Sequence, residues 1–166
     1  MQPRTTPDSA RGFTMVEVLV AIVVVSLGLL GLAALQARGL KLNHGAFLQT
    51  SATLLAYDMA DRMRANTAGV NSAAYDNVVL DTGNPATNPG DPGCNAGPSG
   101  CTQAQLAQYD TWKWYQGLSA LPQGTGSVVR IPGAPTRFTV TVSWAEAEQT
   151  GGANTYARNV AMEFRP

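Results

Sequence analysis

Charged residues are scarce in this sequence and are balanced in sign. They make up 13% of the 166 residues, with 11 Lys and Arg against 11 Asp and Glu, whereas a typical soluble domain has about 25%. A net charge of zero gives no electrostatic basis for binding nucleic acid, so we expect no nucleic-acid partner. The sequence also lacks a Lys/Arg cluster, which argues against a peripheral lipid-binding patch.

The residues that form catalytic and metal sites are also few. The single histidine, His44, has no Cys, His or carboxylate at ligand spacing and is interpreted as a surface residue. The Gly-rich stretch 83–101 lacks the Gly-Lys-Ser/Thr of a phosphate-binding loop. Three carboxylates, Glu146, Glu148 and Glu163, lie on or beside predicted strands, where solvation explains them. We therefore expect no enzyme activity and no cofactor; a membrane-anchored periplasmic enzyme is the alternative from a different class.

What the chain does have is a long apolar segment near its N-terminus. Residues 1–12 are polar and carry Arg4 and Arg11, while residues 13–37 contain one charge, Glu17. A bilayer core about 30 Å thick needs about 20 helical residues, so this segment is long enough to span one. The arginines predict a cytoplasmic N-terminus and place the C-terminal part outside.

Two simpler interpretations of this segment fit less well. A secretory signal peptide has roughly 7–15 apolar residues before a small-residue cleavage site, and the segment is longer than that. An ordinary signal anchor explains the length but not Glu17, because a charge inside a membrane helix costs about 2.5–3.5 kcal/mol. Glu17 therefore requires a partner, and we expect none within its own helix.

The start of the apolar segment carries a family resemblance. The sequence GFTMVE, which begins at Gly12, resembles the processing site of type IV prepilins and type II secretion pseudopilins. The resemblance implies that prepilin peptidase cuts after Gly12 and methylates the new N-terminal Phe13. Glu17 is then the fifth residue of the mature chain. Residues 1–12 become a cleaved leader, and residues 13–37 become a transmembrane and assembly helix.

The physical chemistry of Glu17 agrees with this resemblance. Cleavage after Gly12 releases an amine at Phe13, four residues before Glu17. An ammonium and a carboxylate attract strongly at low dielectric, and pairing offsets the desolvation of both. If the amine belongs to a neighbouring subunit, Glu17 sets the register of lateral assembly.

The helical pattern continues beyond the apolar segment. Apolar residues recur at steps of three and four, the spacing of one helical face, and no proline interrupts residues 13–66. We predict one helix of about 50 residues whose second part, 38–66, is amphipathic and packs under a head domain. The predicted inward face consists of Leu48, Ala52, Leu55, Met59 and Met63.

The two cysteines of the chain, Cys94 and Cys101, lie in a loop-rich segment, 67–101, and enclose six residues. This spacing is not the Cys-x-x-Cys of a redox site, and two cysteines alone make a poor zinc site. Outside the cytoplasm, a structural disulfide is therefore the favoured interpretation.

A calcium site in the same segment is the alternative that we considered. Asp81, Asn88 and Asp91 carry suitable oxygens, but their spacing is not that of an EF-hand. Some pseudopilins bind calcium in a comparable region, which is a property of the family and not a derivation from these residues. We expect no metal.

Residues 67–166 predict an α+β head. Thr102 and Gln105 have the spacing of a capping box, which opens a helix ending at about Leu121. Strands are predicted at 128–131, 138–144 and 160–164, with clean apolar–polar alternation in the middle one. The predicted inward face of the helix consists of Leu106, Trp114, Leu118 and Leu121. The expected fold is a pilin fold, in which the long helix packs on an antiparallel sheet of three or four strands, with a second helix and a disulfide-stapled insert.

Within the superfamily, the chain resembles the PilV type of minor pilin. Besides GFTMVEVLVA, the resemblance rests on LLAYDMADRMRAN (54–66), on DTWKWYQGL through LPQGTGSV (110–128) and on VTVSWAE (140–146). It implies a subunit that helps initiate pilus assembly and lies at or near the tip with other minor pilins and the major pilin, with a tip adhesin as a candidate partner. The chain is then an inner-membrane protein before assembly and part of a cell-surface pilus afterwards. A minor pseudopilin of a type II secretion system is the alternative.

Overall fold

The computed structural model describes residues 12–94, 100–147 and 155–166. By its internal contacts the chain divides into two units, Met1–Lys41 and Leu42–Pro166. The helices are α1 (Met15–Ala65), α2 (Thr67–Asn71) and α3 (Gln103–Leu118), and a short 3₁₀ helix covers Pro85–Thr87. The strands are β1 (Val78–Asp81), β2 (Thr125–Ile131), β3 (Arg137–Ala147) and β4 (Thr155–Phe164).

The sheet of the second unit is an antiparallel meander in the order β1-β2-β3-β4. Its register places Val128 of β2 opposite Val140 of β3, and Val140 opposite Met162 of β4. One core joins the inner face of this sheet to the second part of α1 and to α3. The largest fully buried side chains in it are Trp114, Tyr75, Phe138, Met59 and Met63. The predicted α+β pilin fold is therefore confirmed.

The sequence missed strand β1. It lies in the segment 67–101, which was predicted to be loop, and that segment also contains α2. Val78–Asp81 is only four residues long and shows no extended alternation of its own. It becomes a strand because it pairs along β2, from Val78 opposite Val128 to Asp81 opposite Thr125. Such a pairing is a tertiary fact that a short sequence window does not contain.

Helix α3 begins as predicted but ends earlier and faces differently. Thr102 Oγ1 accepts from the Gln105 backbone N–H at 3.2 Å, and Gln105 Oε1 accepts from the Thr102 N–H at 3.0 Å, which confirms the capping box. The helix ends at Leu118. The chain then passes so close to this helix end that a Cβ on Gly124 would lie 2.1 Å from the Leu118 carbonyl oxygen. The prediction that Leu106 points inward is wrong, since it is 37% exposed. The buried face consists of Ala107, Asp110, Thr111, Trp114 and Leu118.

Candidate assembly site

The predicted processing junction lies just outside the helix. Gly12, Phe13 and Thr14 precede α1, which begins at Met15. Thr14 Oγ1 accepts from the backbone N–H of Glu17 at 3.3 Å, and the Thr14 carbonyl accepts from the same N–H at 3.1 Å. Thr14 thus satisfies a helix donor that would otherwise lack a partner. The bond between Gly12 and Phe13 is in exposed, non-helical backbone; residues 1–11 of the predicted leader lie outside the described residues.

Glu17 lies in the first turn of α1 and its side chain is exposed in the single chain. The positive end of the helix dipole favours a carboxylate at this position by about 0.3–1 kcal/mol. The expectation that its own helix offers nothing is therefore incomplete. This gain is smaller than the cost of about 2.5–3.5 kcal/mol for a charge in a membrane helix, so the requirement for a further partner remains.

The first part of α1 is apolar and exposed. Its most apolar window of 18 residues has a mean hydropathy of 2.9, and none of that window is buried within the chain. By length and composition the helix can cross a membrane. An uncovered apolar surface of this size is typical of a membrane segment or an assembly surface.

The second part of α1 has two apolar faces. Four of the five predicted inward residues are buried and Leu55 is half-buried; Ala56 and Ala60 complete the buried face. On the opposite side Phe47, Leu54 and Tyr57 are 65%, 64% and 52% exposed. No Lys, Arg, Asp or Glu occurs between Lys41 and Asp58. We refer to Phe47, Leu54 and Tyr57 as the outer face of α1; this helix segment therefore exposes large apolar side chains on the side opposite its buried face.

A buried polar network lies near the C-terminal end of α1. Tyr75 donates from its hydroxyl to Asp110 Oδ2 at 2.6 Å and accepts from Asn66 Nδ2 at 3.0 Å. Arg62 lies between two carboxylates, with Nε 2.8 Å from Asp58 Oδ2 and Nη1 3.4 Å from Asp110 Oδ1. The network joins α1 to α3 through side chains whose polar atoms have hydrogen-bond or ion-pair partners. It therefore fixes the position of α3 along the C-terminal end of α1.

The network perturbs the titration of its tyrosine. Burial, followed by the hydrogen bond to Asp110, raises the pKa of Tyr75 above the ordinary value of 10.0. The neutral phenol is therefore the form that the folded head retains.

Two segments that carry the family resemblance meet here. Asp58, Arg62 and Asn66 belong to the segment 54–66, and Asp110 begins the segment 110–128. Nearby, Trp114 Nε1 donates to the Leu55 carbonyl oxygen at 3.0 Å. Sequence reasoning missed this network because Tyr75 lies in the segment that was predicted to be loop-rich and because no partner was predicted for Asp110. The available signal was the position of Asp110, which lies four residues after Leu106 and four before Trp114 and so shares the predicted inward face of its helix.

The C-terminal carboxylates do not all fit the interpretation that solvation explains them. The interpretation is wrong for Glu146, because its side chain is only 14% exposed. Its Oε2 lies 3.2 Å from Arg158 Nε. Glu163 is half-exposed and pairs with Arg137, while Glu148 lies outside the described residues. These two ion pairs bridge β3 and β4, so the described carboxylates have structural partners.

The candidate calcium oxygens close turns in their own loop. The side-chain oxygens of Asp81, Asn88 and Asp91 accept from the backbone N–H groups of Gly83, Gly90 and Gly93 at 2.8, 3.0 and 2.8 Å. Over residues 12–94, 100–147 and 155–166, no group of three His, Cys, Asp or Glu side chains is arranged to hold a metal. These turns account for the positions of the three side chains.

The disulfide between Cys94 and Cys101 is confirmed, with an S–S distance of 1.97 Å. The loop that precedes it is held on α3, where Gln108 Nε2 donates to the Pro89 carbonyl oxygen at 2.7 Å. His44 is exposed on α1, as expected for a surface residue.

Comparison with known families gives two matches that adjoin each other along the chain. Residues 8–33 match a family described as the prokaryotic N-terminal methylation motif. Residues 34–112 match a family described as type IV pilin Tt1218. No curated protein and no solved structure matches the chain. The first match covers Gly12, Phe13 and Glu17, and the second covers the buried network and the disulfide.

Proposed function

Since the two family matches support a type IV pilin or pseudopilin subunit, we propose that this chain is a minor pilin of a type IV pilus. The N-terminal methylation motif and the apolar helix fit a protein that is anchored in the inner membrane and then assembled into a surface pilus. Pilin-class subunits are cleaved by prepilin peptidase and assemble with other pilins. The class also suggests a structural subunit and not an enzyme.

The observation that carries the proposal is the position of Glu17. It lies in the first turn of an exposed apolar helix, four residues after the predicted cut. The dipole of its own helix offsets only part of the cost of placing this carboxylate in a membrane or a filament core. The Phe13 amine of a neighbouring subunit supplies the missing counter-charge in our proposal. Pairing at one position then sets the register between two helices.

The outer face of α1 extends this assembly surface into the head unit in our proposal. Phe47, Leu54 and Tyr57 are exposed large apolar side chains on one side of a helix segment without charged residues. Contact with neighbouring pilins covers this side, while Leu48 and Met59 on the opposite side hold the chain's own sheet. The helix thus serves two interfaces at once.

Incorporation into pili tests the role of Glu17. We expect Glu17→Ala and Glu17→Gln to be processed as well as the unsubstituted chain but to enter sheared pili at roughly one-tenth of its level, because pairing is worth at least about 1.4 kcal/mol. Processing is measured by the size shift of the precursor, and incorporation by immunoblotting of the pili. Normal incorporation of Glu17→Gln would show that the charge is not required.

Partner identity tests the choice of filament. We expect the full-length chain, purified in detergent, to co-purify with the other minor pilins and the major pilin. We further propose that it acts in assembly initiation at the tip, with an adhesin as a candidate cargo. Co-purification with type II secretion pseudopilins instead would assign the chain to that machine, and turnover of a substrate by the purified chain would favour the enzyme alternative.

A further inference from the structure

Two cations follow the apolar segment of α1 without a counter-charge around them. Between Glu17 and Asp58, the only Lys, Arg, Asp or Glu residues are Arg38 and Lys41. Both side chains are exposed. Neither takes part in an ion pair among the residues that the structure describes. Their charge is therefore available to an anionic group from outside these residues.

Helix geometry brings both cations to the outer surface of the membrane. Because α1 begins at Met15, Arg38 lies about 35 Å further along the helix axis, and Lys41 lies about 4.5 Å beyond Arg38. These distances exceed the hydrocarbon core of about 30 Å but not the thickness of about 40–45 Å that includes the headgroups. With the start of α1 at the inner surface, the apolar segment carries both side chains into the outer headgroup layer.

The spacing of the two cations lets them act on one ligand. Helical residues three positions apart lie about 60° apart around the axis, and their Cβ atoms are about 5–6 Å apart. Arg38 and Lys41 can thus contact the same phosphate group, whose oxygens suit the paired N–H donors of a guanidinium. A zwitterionic headgroup carries a cation of its own, which two positive side chains repel. The pair therefore favours an anionic phospholipid.

Membrane orientation does not account for these cations. The positive-inside bias favours Lys and Arg on the cytoplasmic flank of a span, whereas Arg38 and Lys41 lie on the other flank and work against that bias. They also do not form a polybasic patch, which consists of about four to eight cations. The apolar segment, and not the number of charges, brings them to the lipid.

We propose that Arg38 and Lys41 together bind the phosphate of an anionic phospholipid in the outer leaflet of the inner membrane. The proposal needs the membrane-anchored state, which the methylation motif and the apolar helix support, and it does not depend on which filament the chain joins. Assembly into a filament removes the apolar segment from lipid. Assembly therefore requires release of this phosphate.

The lipid preference of the full-length chain in vesicles tests this site. A bimane fluorophore is attached at Leu35→Cys, an exposed position three residues before Arg38; the native cysteines do not react because they form the disulfide. The vesicles contain phosphatidylglycerol and phosphatidylcholine, and one of the two carries brominated acyl chains, which quench the fluorophore. A cation near an anionic surface raises the affinity roughly fivefold. We expect phosphatidylglycerol to bind beside the fluorophore roughly fivefold or more tightly than phosphatidylcholine.

Substitution of the two cations tests whether they carry the preference. The double variant Arg38→Gln with Lys41→Gln should bind both lipids equally, because glutamine keeps the helix propensity and removes the charge. The exchange Arg38→Lys with Lys41→Arg should keep the preference. Arg64→Gln is the matched control and should also keep it, because Arg64 is a half-exposed cation near the other end of α1 that pairs with Asp61.

Three results would overturn the proposal. They are equal binding of the two lipids by the labelled chain with both cations, an unchanged preference in the double glutamine variant, and an equal loss of preference in Arg64→Gln. A carboxylate of a neighbouring subunit would then be the remaining partner for the two cations. The vesicles contain no pilus, so this result is independent of the proposed function, which absence of the chain from pili would refute alone.

Discussion

Replacing Tyr75 by Phe removes one oxygen from the centre of the buried network and leaves the aromatic ring in place. The hydroxyl donates to Asp110 at 2.6 Å and accepts from Asn66 at 3.0 Å. After the substitution Asn66 still donates to the Gln103 carbonyl oxygen at 3.0 Å. Asp110 loses its short bond and retains Arg62 at 3.4 Å. The change therefore leaves one buried carboxylate oxygen poorly satisfied.

The expected cost follows from that oxygen. A hydrogen bond to a charged group contributes about 1.5–3 kcal/mol, and the bond from Asn66 adds about 0.5–1.5 kcal/mol. We expect Tyr75→Phe to lower the free energy of unfolding by about 2–3 kcal/mol, a large share of the stability of about 5–15 kcal/mol that is usual for a domain. Tyr57→Phe is the matched control, because Tyr57 is 52% exposed, and its change should stay within about 0.5 kcal/mol.

The pH dependence gives a second, independent signature. Burial raises the pKa of Tyr75 in the folded chain above 10.0, the value expected when unfolded. The unfolded chain therefore loses the phenolic proton first as the pH rises. The contribution of Tyr75 is present in full below about pH 10 and is lost above it. Tyr75→Phe should remove this part of the alkaline decline, and Tyr57→Phe should retain it.

Guanidinium unfolding of the full-length chain in mild detergent, followed by tryptophan fluorescence, measures both effects. The three chains are compared at about pH 7 and at about pH 11. Equal stability of Tyr75→Phe and Tyr57→Phe at neutral pH would refute the role of the network. An alkaline decline that is the same in both variants would refute the argument from the pKa.

Three other substitutions test packing, the disulfide and an ion pair. Gly126→Ala should lower the free energy of unfolding by about 1–3 kcal/mol, since a Cβ at this position would lie 2.6 Å from the indole ring of Trp114. An unchanged denaturation midpoint would contradict this. Replacing Cys94 and Cys101 by Ser should cost about 2–3 kcal/mol, and reduction of the unsubstituted chain should reproduce that loss. Arg130→Lys should cost about 1–2 kcal/mol, because Nε of Arg130 contacts both Asp76 oxygens at 2.9 and 2.8 Å; thermal unfolding that matches the unsubstituted chain would count against it.

The parts of the fold that the sequence predicted are those specified over short spans. The capping box at Thr102 depends on two residues three positions apart, and the alternation in 138–144 depends on a period of two. Both were confirmed. Leu106 was placed wrongly because apolar character was taken as the sign of burial. In the structure, Asp110 and Thr111 occupy the buried face of α3 because polar partners satisfy them.

The sequence by itself determined the features of the N-terminal segment on which the proposed function depends. Glu17 and the apolar run lie on one continuous helix, where spacing in the chain is spacing in space, and the predicted leader and Gly12–Phe13 junction directly precede that helix in the sequence. The tertiary structure alone decided the head. It brought Tyr75 and Asp110 together across 35 positions, added β1 to the sheet and placed Trp144 beside α1. Contacts between distant segments depend on how whole faces pack, and no local pattern encodes them.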